Sequence, residues 1–123
     1  MKTKKDIRYS DISKLDELDI YYADNEKGTI IYFHGGGFTC GSKYDPHLVA
    51  IAESFANHGY TFISVNYSLY PDTKFPSYLV EAAKAVGYVC NILKIIPCGF
   101  HFSTITLEIP WFLILSTVYT WAR

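Results

Sequence analysis

The segment from Thr29 to Pro46 limits what this chain can fold into more than any other part of it. The run Thr29-Ile30-Ile31-Tyr32-Phe33 is β-branched and aromatic, is bounded by Gly28, and ends on His34-Gly35-Gly36-Gly37. A short continuous apolar run of this kind reads as a strand covered on both faces. Beyond the glycines, Asp45 before Pro46 is an N-cap and first-turn pair, and Leu48, Ala52, Phe55 and Ala56 recur at helical spacing until Gly59. A buried strand that passes through glycines into an amphipathic helix predicts layered α/β structure, because the helix must bury its apolar face against the sheet.

The neighbouring segments extend this pattern. Leu18-Asp19-Ile20-Tyr21-Tyr22 alternates weakly, and Asp24-Asn25-Glu26-Lys27-Gly28 reads as a turn, which predicts a hairpin between residues 18–22 and 29–33. Tyr60 to Tyr67 is β-branched and aromatic, lies between Gly59 and Pro71, and predicts the next strand. Pro76 opens a second helix with Leu79, Ala82, Ala83, Val86, Cys90 and Leu93 along one stripe. The expected fold is α/β: a hairpin, then strand, helix, strand and helix, in a mostly parallel sheet with the hairpin as its antiparallel edge. Only about three strands are visible before residue 95, so the sheet is expected to be incomplete, with an open edge.

Charge divides the chain in two. Residues 95–123 carry only Glu108 and Arg123 as charged side chains, whereas residues 1–94 carry the rest. Residues 1–94 therefore read as the folded α/β portion and 95–123 as an atypical apolar tail. Ile109 to Tyr119 is apolar but well short of the roughly 20 residues that span a bilayer, so a membrane partner is not expected. The net charge of -1 gives no field to attract nucleic acid. Three cysteines without a CxxC pair fit a reducing compartment, and Met1 to Ser10 is polar with no apolar signal core, so the expected location is cytoplasmic.

Glycines between a strand end and a helix have a specific chemical use. In acyl transfer the carbonyl oxygen gains negative charge, and preorganised backbone N–H groups can stabilise it where no side chains obstruct the turn. The stretch Tyr32-Phe33-His34-Gly35-Gly36-Gly37-Phe38, then Gly41-Ser42, then Asn66-Tyr67-Ser68-Leu69-Tyr70-Pro71 resembles the HGGG-type esterases and lipases of the α/β-hydrolase fold. It is similar to the hormone-sensitive-lipase-like and the feruloyl or acetyl-xylan esterase groups over roughly residues 15–94. The second motif commonly reads Tyr-Arg-Leu-Ala-Pro in those enzymes; Ser68 and Tyr70 depart from it.

The resemblance implies that Gly36 and Gly37 donate N–H groups to the oxyanion, that His34 braces the loop, and that Phe38 lies near an acyl pocket. It also implies a small-molecule or acyl ester substrate and no metal or other cofactor. The nucleophile of the family lies in a GxSxG elbow on the strand after the second helix, with an acidic residue and a histidine later. Neither GxSxG nor GxCxG occurs in this sequence. The expectation is a truncated hydrolase that holds the oxyanion loop, lacks a nucleophile and is inactive alone; the alternatives are a non-enzymatic remnant that associates through the open sheet edge, or a small membrane-attached protein.

No other residue supplies the missing chemistry. Ser42 has no partnered base, His47 and His58 flank a helix as exposed polar residues, and Cys98 with His101 is a lone C-x-x-H, short of a four-ligand zinc pattern. The acidic groups Asp16-Glu17-Asp19 and Asp24-Glu26 read as solvated strand ends and turns.

Overall fold

The computed structural model describes residues 1–36, 39–94, 101–104 and 117–120. They form one sheet of strands β1 (Lys2–Arg8), β2 (Glu17–Tyr22), β3 (Gly28–Phe33), β4 (Tyr60–Val65), β5 (His101–Thr104) and β6 (Thr117–Thr120), with helices α1 (Pro46–Asn57) and α2 (Ser77–Ile92). The strand order is β1-β2-β4-β3-β6-β5. This is a mixed, open α/β sheet, as the alternation of strand and helix signals predicts.

The pairing corrects the sequence reading in two places. The hairpin joins β1 to β2, not β2 to β3, because β4 lies between those two and pairs with both. The sheet is not mostly parallel: β3–β4 is its parallel pair among the described residues, and the other pairings are antiparallel. On its side away from β4, β3 pairs with β6 at Ile30 and Ile31, and the sheet is open, ending on β1 and β5 among the described residues.

Strand β1 has no sequence signal because Lys2-Thr3-Lys4-Lys5-Asp6-Ile7-Arg8 is almost wholly polar. A charged, lysine-rich strand suits an edge, where it discourages pairing with a further chain. Its register shifts between Lys4 and Ile7, and Asp6 sits there at φ 55°, a bulge that turns the Asp6 amide onto Asp19 Oδ1 at 2.9 Å.

The two helices cover opposite faces of the sheet. Alternate residues of the central strands face each way, so Ile30 and Phe62 meet Leu48, Ala52 and Ala56 of α1 on one face. On the other face Leu18, Ile20, Ile31, Phe33, Ile63 and Val65 meet Ala85 and Val89 of α2. Strand β3 is thus covered on both sides, as its unbroken apolar run requires. Each fully buried Ile, Val or Leu removes enough apolar surface from water to contribute about 1.5–3 kcal/mol, and these two layers hold the sheet between the helices.

Helix α1 matches its predicted signals: Asp45 caps it by accepting the His47 amide at 2.8 Å, Pro46 occupies the first turn, and Gly59 ends it at φ 96°. Helix α2 is rotated from its predicted stripe. The buried ridge is Tyr78, Glu81, Ala85 and Val89, with Ala82 and Val86 at its margin, while Leu79 and Ala83 face outward. The shift centres the helix on Glu81, a residue that a search for apolar spacing passes over.

Candidate active site

The site lies where β3 runs into the glycines. His34 follows the last residue of β3 and is buried, with its ring stacked on that of Tyr67 at 4.3 Å between centroids and 9° between planes. Tyr67 stands two residues beyond β4, and because β3 and β4 are parallel neighbours in register to Phe33–Val65, their continuations leave the sheet side by side. The Tyr67 hydroxyl donates to the His34 carbonyl.

His34 Nδ1 lies 2.9 Å from the Gly35 carbonyl oxygen. A carbonyl can only accept, so Nδ1 carries the hydrogen and Nε2 is the acceptor nitrogen of the ring. Burial lowers the pKa of His34, and the Gly35 hydrogen bond offsets part of that, so the ring is neutral at pH 7.

The glycines are required by close approach. Gly36 has φ 128°, and a Cβ there would lie 2.1 Å from the Cys40 carbonyl oxygen. The Gly36 carbonyl accepts from the Thr39 amide at 3.2 Å and the Thr39 hydroxyl at 3.0 Å, which closes the loop on itself. Gly41, at φ 95°, returns against His34: a Cβ there would meet Gly35 O at 2.3 Å and His34 Nδ1 at 2.5 Å. His34 therefore touches both arms of the loop. Gly37 and Phe38 lie outside the described residues.

Two buried polar groups anchor this loop. The Lys43 amide donates to Asn66 Oδ1 at 2.7 Å, while its wholly buried side chain places Nζ 2.8 Å from Asp19 Oδ1 and 2.6 Å from Asp6 Oδ1. Burial alone would lower the Lys43 pKa; the two carboxylates outweigh it and raise it, keeping the ammonium charged. On the other side, Ser68 donates to Glu81 Oε2, and Tyr9 donates to the Asn66 carbonyl at 2.6 Å and to Asp16 Oδ1 at 3.3 Å. Burial, reinforced by nearby Asp16, pushes the Glu81 carboxyl up to about 7.

Asp16 and Asp19 are thus buried, not solvated as their acidic setting in the sequence suggested; Asp24 and Glu26 are exposed. Nothing in composition reveals that Lys43 and Asp19, 24 residues apart, share an ion pair. Glu81 had one signal, its i, i+4 and i+8 spacing with Ala85 and Val89.

A cleft of about 380 Å³ opens over the loop, lined among the described residues by Tyr32, His34, Gly36, Ser42, His47 and Leu48 with their neighbours. Ser42 and His47 both reach it, yet no hydrogen bond between them is present; Ser42 Oγ instead accepts the Tyr44 amide at 3.2 Å. His47 and His58 are exposed, and the His58 ring lies 2.7 Å from the Ser54 carbonyl. Cys98 lies outside the described residues, as does the side chain of His101. Among the described residues no three His, Cys, Asp or Glu side chains are grouped to hold a metal, and no helix is long and apolar enough to cross a membrane.

The layered sheet and the strand–glycine loop–helix unit define an α/β-hydrolase fold. The BD-FAE family matches residues 18–94, more than half of the chain, and the chain belongs to that family. It is therefore related to carboxylic ester hydrolases. Among solved structures it is similar to esterase B from Lactobacillus rhamnosis, with a TM-score of 0.62 at 23% identity over 73% of this chain and 30% of that one. A carbohydrate esterase from gut microbiota gives 0.64 at 20% identity, over 74% of this chain and 33% of that one. MGS-M1, an α/β-hydrolase enzyme from a deep-sea metagenome library, gives 0.62 at 24% identity over 76% and 40%. The chain spans about a third of the length of these structures. No curated protein matches it.

Proposed function

We propose that residues 18–94 are the oxyanion-hole part of a serine-type carboxylic ester hydrolase, and that this chain, holding no GxSxG elbow, does not turn over esters alone. The observation that carries this reading is the His34–Gly41 contact, in which a neutral, buried histidine fixes both arms of a glycine loop at the end of a central strand. In that arrangement the N–H groups of Gly36 and Gly37 stabilise the oxyanion of a tetrahedral intermediate, and His34 sets the loop's shape without taking part in proton transfer. The family resemblance assigns Phe38 to the acyl pocket. Where one such donor has been removed in other enzymes, the rate falls about 10²–10³-fold.

Assay of the purified chain with a fluorogenic short-chain ester tests the reading. The expected result is no turnover above a Gly36→Pro control. Robust hydrolysis would overturn the claim that the nucleophile is missing, and hydrolysis that survives Gly36→Pro would overturn the role of the loop.

A second reading is a non-catalytic chain that self-associates. It is favoured by the outer side of α2 and the segment before it, where Phe75, Leu79 and Val80 are exposed. Sedimentation separates the two: a monomer at all concentrations rejects the second reading.

A further inference from the structure

Asp16 and Glu81 form a buried acidic pair with no ion-pair partner among the described residues. Both are 0% exposed, and they come from different elements, Asp16 from the β1–β2 connection and Glu81 from α2. Asp16 Oδ2 accepts the Ser13 amide at 3.2 Å, and its Oδ1 accepts the Tyr9 hydroxyl at 3.3 Å. Glu81 Oε2 accepts the Ser68 hydroxyl, but Glu81 Oε1 is buried with no donor to receive.

Among the described residues, the groups that hydrogen-bond to the pair are Tyr9 and Ser13 from the β1–β2 connection and Ser68 from the segment after β4; none is positively charged. The ion pairs among the described residues are Arg8–Glu17, Lys43–Asp6 and Lys43–Asp19, and none involves either carboxyl. Two adjacent buried carboxylates with no counter-charge repel each other and forfeit hydration. A hydrogen on Glu81 Oε1 removes one charge and turns the orphaned acceptor into a donor. Asp16 lies within its hydrogen-bonding reach.

We propose that Asp16 and Glu81 share one proton in the folded chain, and that the shared proton is a pH-sensitive latch joining the β1–β2 connection, the end of β4 and α2. The latch reaches the glycine loop in one step, because Tyr67, next to Ser68, supports the His34 carbonyl.

The direction of the pH effect follows from proton linkage. Glu81 holds its proton more tightly folded than unfolded, so the folded state carries the extra proton from about pH 4.5 to about pH 7. Its stabilising contribution is full below that window and is lost as pH rises through it.

Urea unfolding of the full chain and of Glu81→Gln at pH 5 and pH 8 tests the latch. Gln keeps the acceptor for Ser68 and supplies a permanent donor to Asp16. The two chains are expected to unfold at similar urea concentrations at pH 5, with Glu81→Gln unfolding at a distinctly higher one at pH 8. An equal offset at both pH values overturns the proposal. Should Glu81→Gln fail to fold, infrared spectra of the unaltered chain decide. A protonated-carboxyl carbonyl band at pH 6 that fades by pH 9 supports the latch, and its absence at pH 6 overturns it.

Discussion

The ring of His34 lies against that of Tyr67, and the Tyr67 hydroxyl donates to the His34 backbone carbonyl, so one tyrosine holds both the side chain and the main chain of the residue that opens the glycine loop. Tyr67→Phe keeps the ring stacking and removes the hydrogen bond, leaving a buried carbonyl without that donor. The expected loss is about 1–3 kcal/mol in urea unfolding. The loss is expected with native-like far-ultraviolet circular dichroism, and Tyr67→Phe as stable as the unaltered chain would show that the bond contributes nothing.

Lys43 and Asp19 are both buried, and their pairing ties the descending arm of the loop to β2. Lys43→Met leaves Asp19 as a buried charge with no counter-ion and is expected to cost about 3 kcal/mol or more. Asp6→Ala removes only the half-exposed partner and is expected to cost much less. Thermal denaturation of the two variants side by side gives the ranking, and the reverse order would contradict it.

Glycine positions differ sharply in what they tolerate. Gly41→Ala forces a Cβ within 2.5 Å of both Gly35 O and His34 Nδ1 at a positive φ, and is expected to destabilise by about 1–3 kcal/mol or to reshape the loop. Gly87 lies within α2 with open space around its Cα, so Gly87→Ala is expected to stabilise by about 0.5–1 kcal/mol. Unfolding midpoints of the pair should move in opposite directions.

The neutral His34 adds a second pH dependence, opposite in sign to that of Glu81. Its folded pKa is lowered by burial, so below pH 6.5 the unfolded chain takes up a proton that the folded chain refuses. Stability from this residue is full above pH 6.5 and falls as pH drops through that value toward the folded pKa. His34→Gln is expected to lose stability at pH 8, where bracing is lost, and to show a shallower decline from pH 7 to pH 5 than the unaltered chain. Parallel declines would mean that His34 does not titrate in this range.

Much of the frame is legible in local chemistry. The Asp45-Pro46 start and Gly59 stop define α1, the unbroken apolar run defines β3 as a central strand, and β-branched and aromatic residues define β4. What local pattern misses is whatever depends on a partner far along the chain. The β1 strand is polar because it is an edge, and β2 pairs with β1 and β4 instead of β3 because the β3–α1–β4 crossover lays β4 parallel beside β3, between it and β2.

The site divides in the same way. Gly36, Gly41 and His34 stand out in the sequence because glycine alone accepts their backbone geometry and close contacts at 36 and 41, and because the strand-to-helix setting gives the motif meaning. Asp16, Asp19, Lys43 and Glu81 look like ordinary solvated charges until the fold buries them. A charged side chain carries no local mark of burial; its environment is made by residues tens of positions away, and only tertiary structure brings Lys43 to Asp19 and Glu81 to Asp16. The sequence by itself thus determined the order of elements and the glycine loop, through backbone sterics and hydrophobic periodicity. The tertiary structure decided strand order and the buried polar network behind the loop, because both arise from contacts between distant segments.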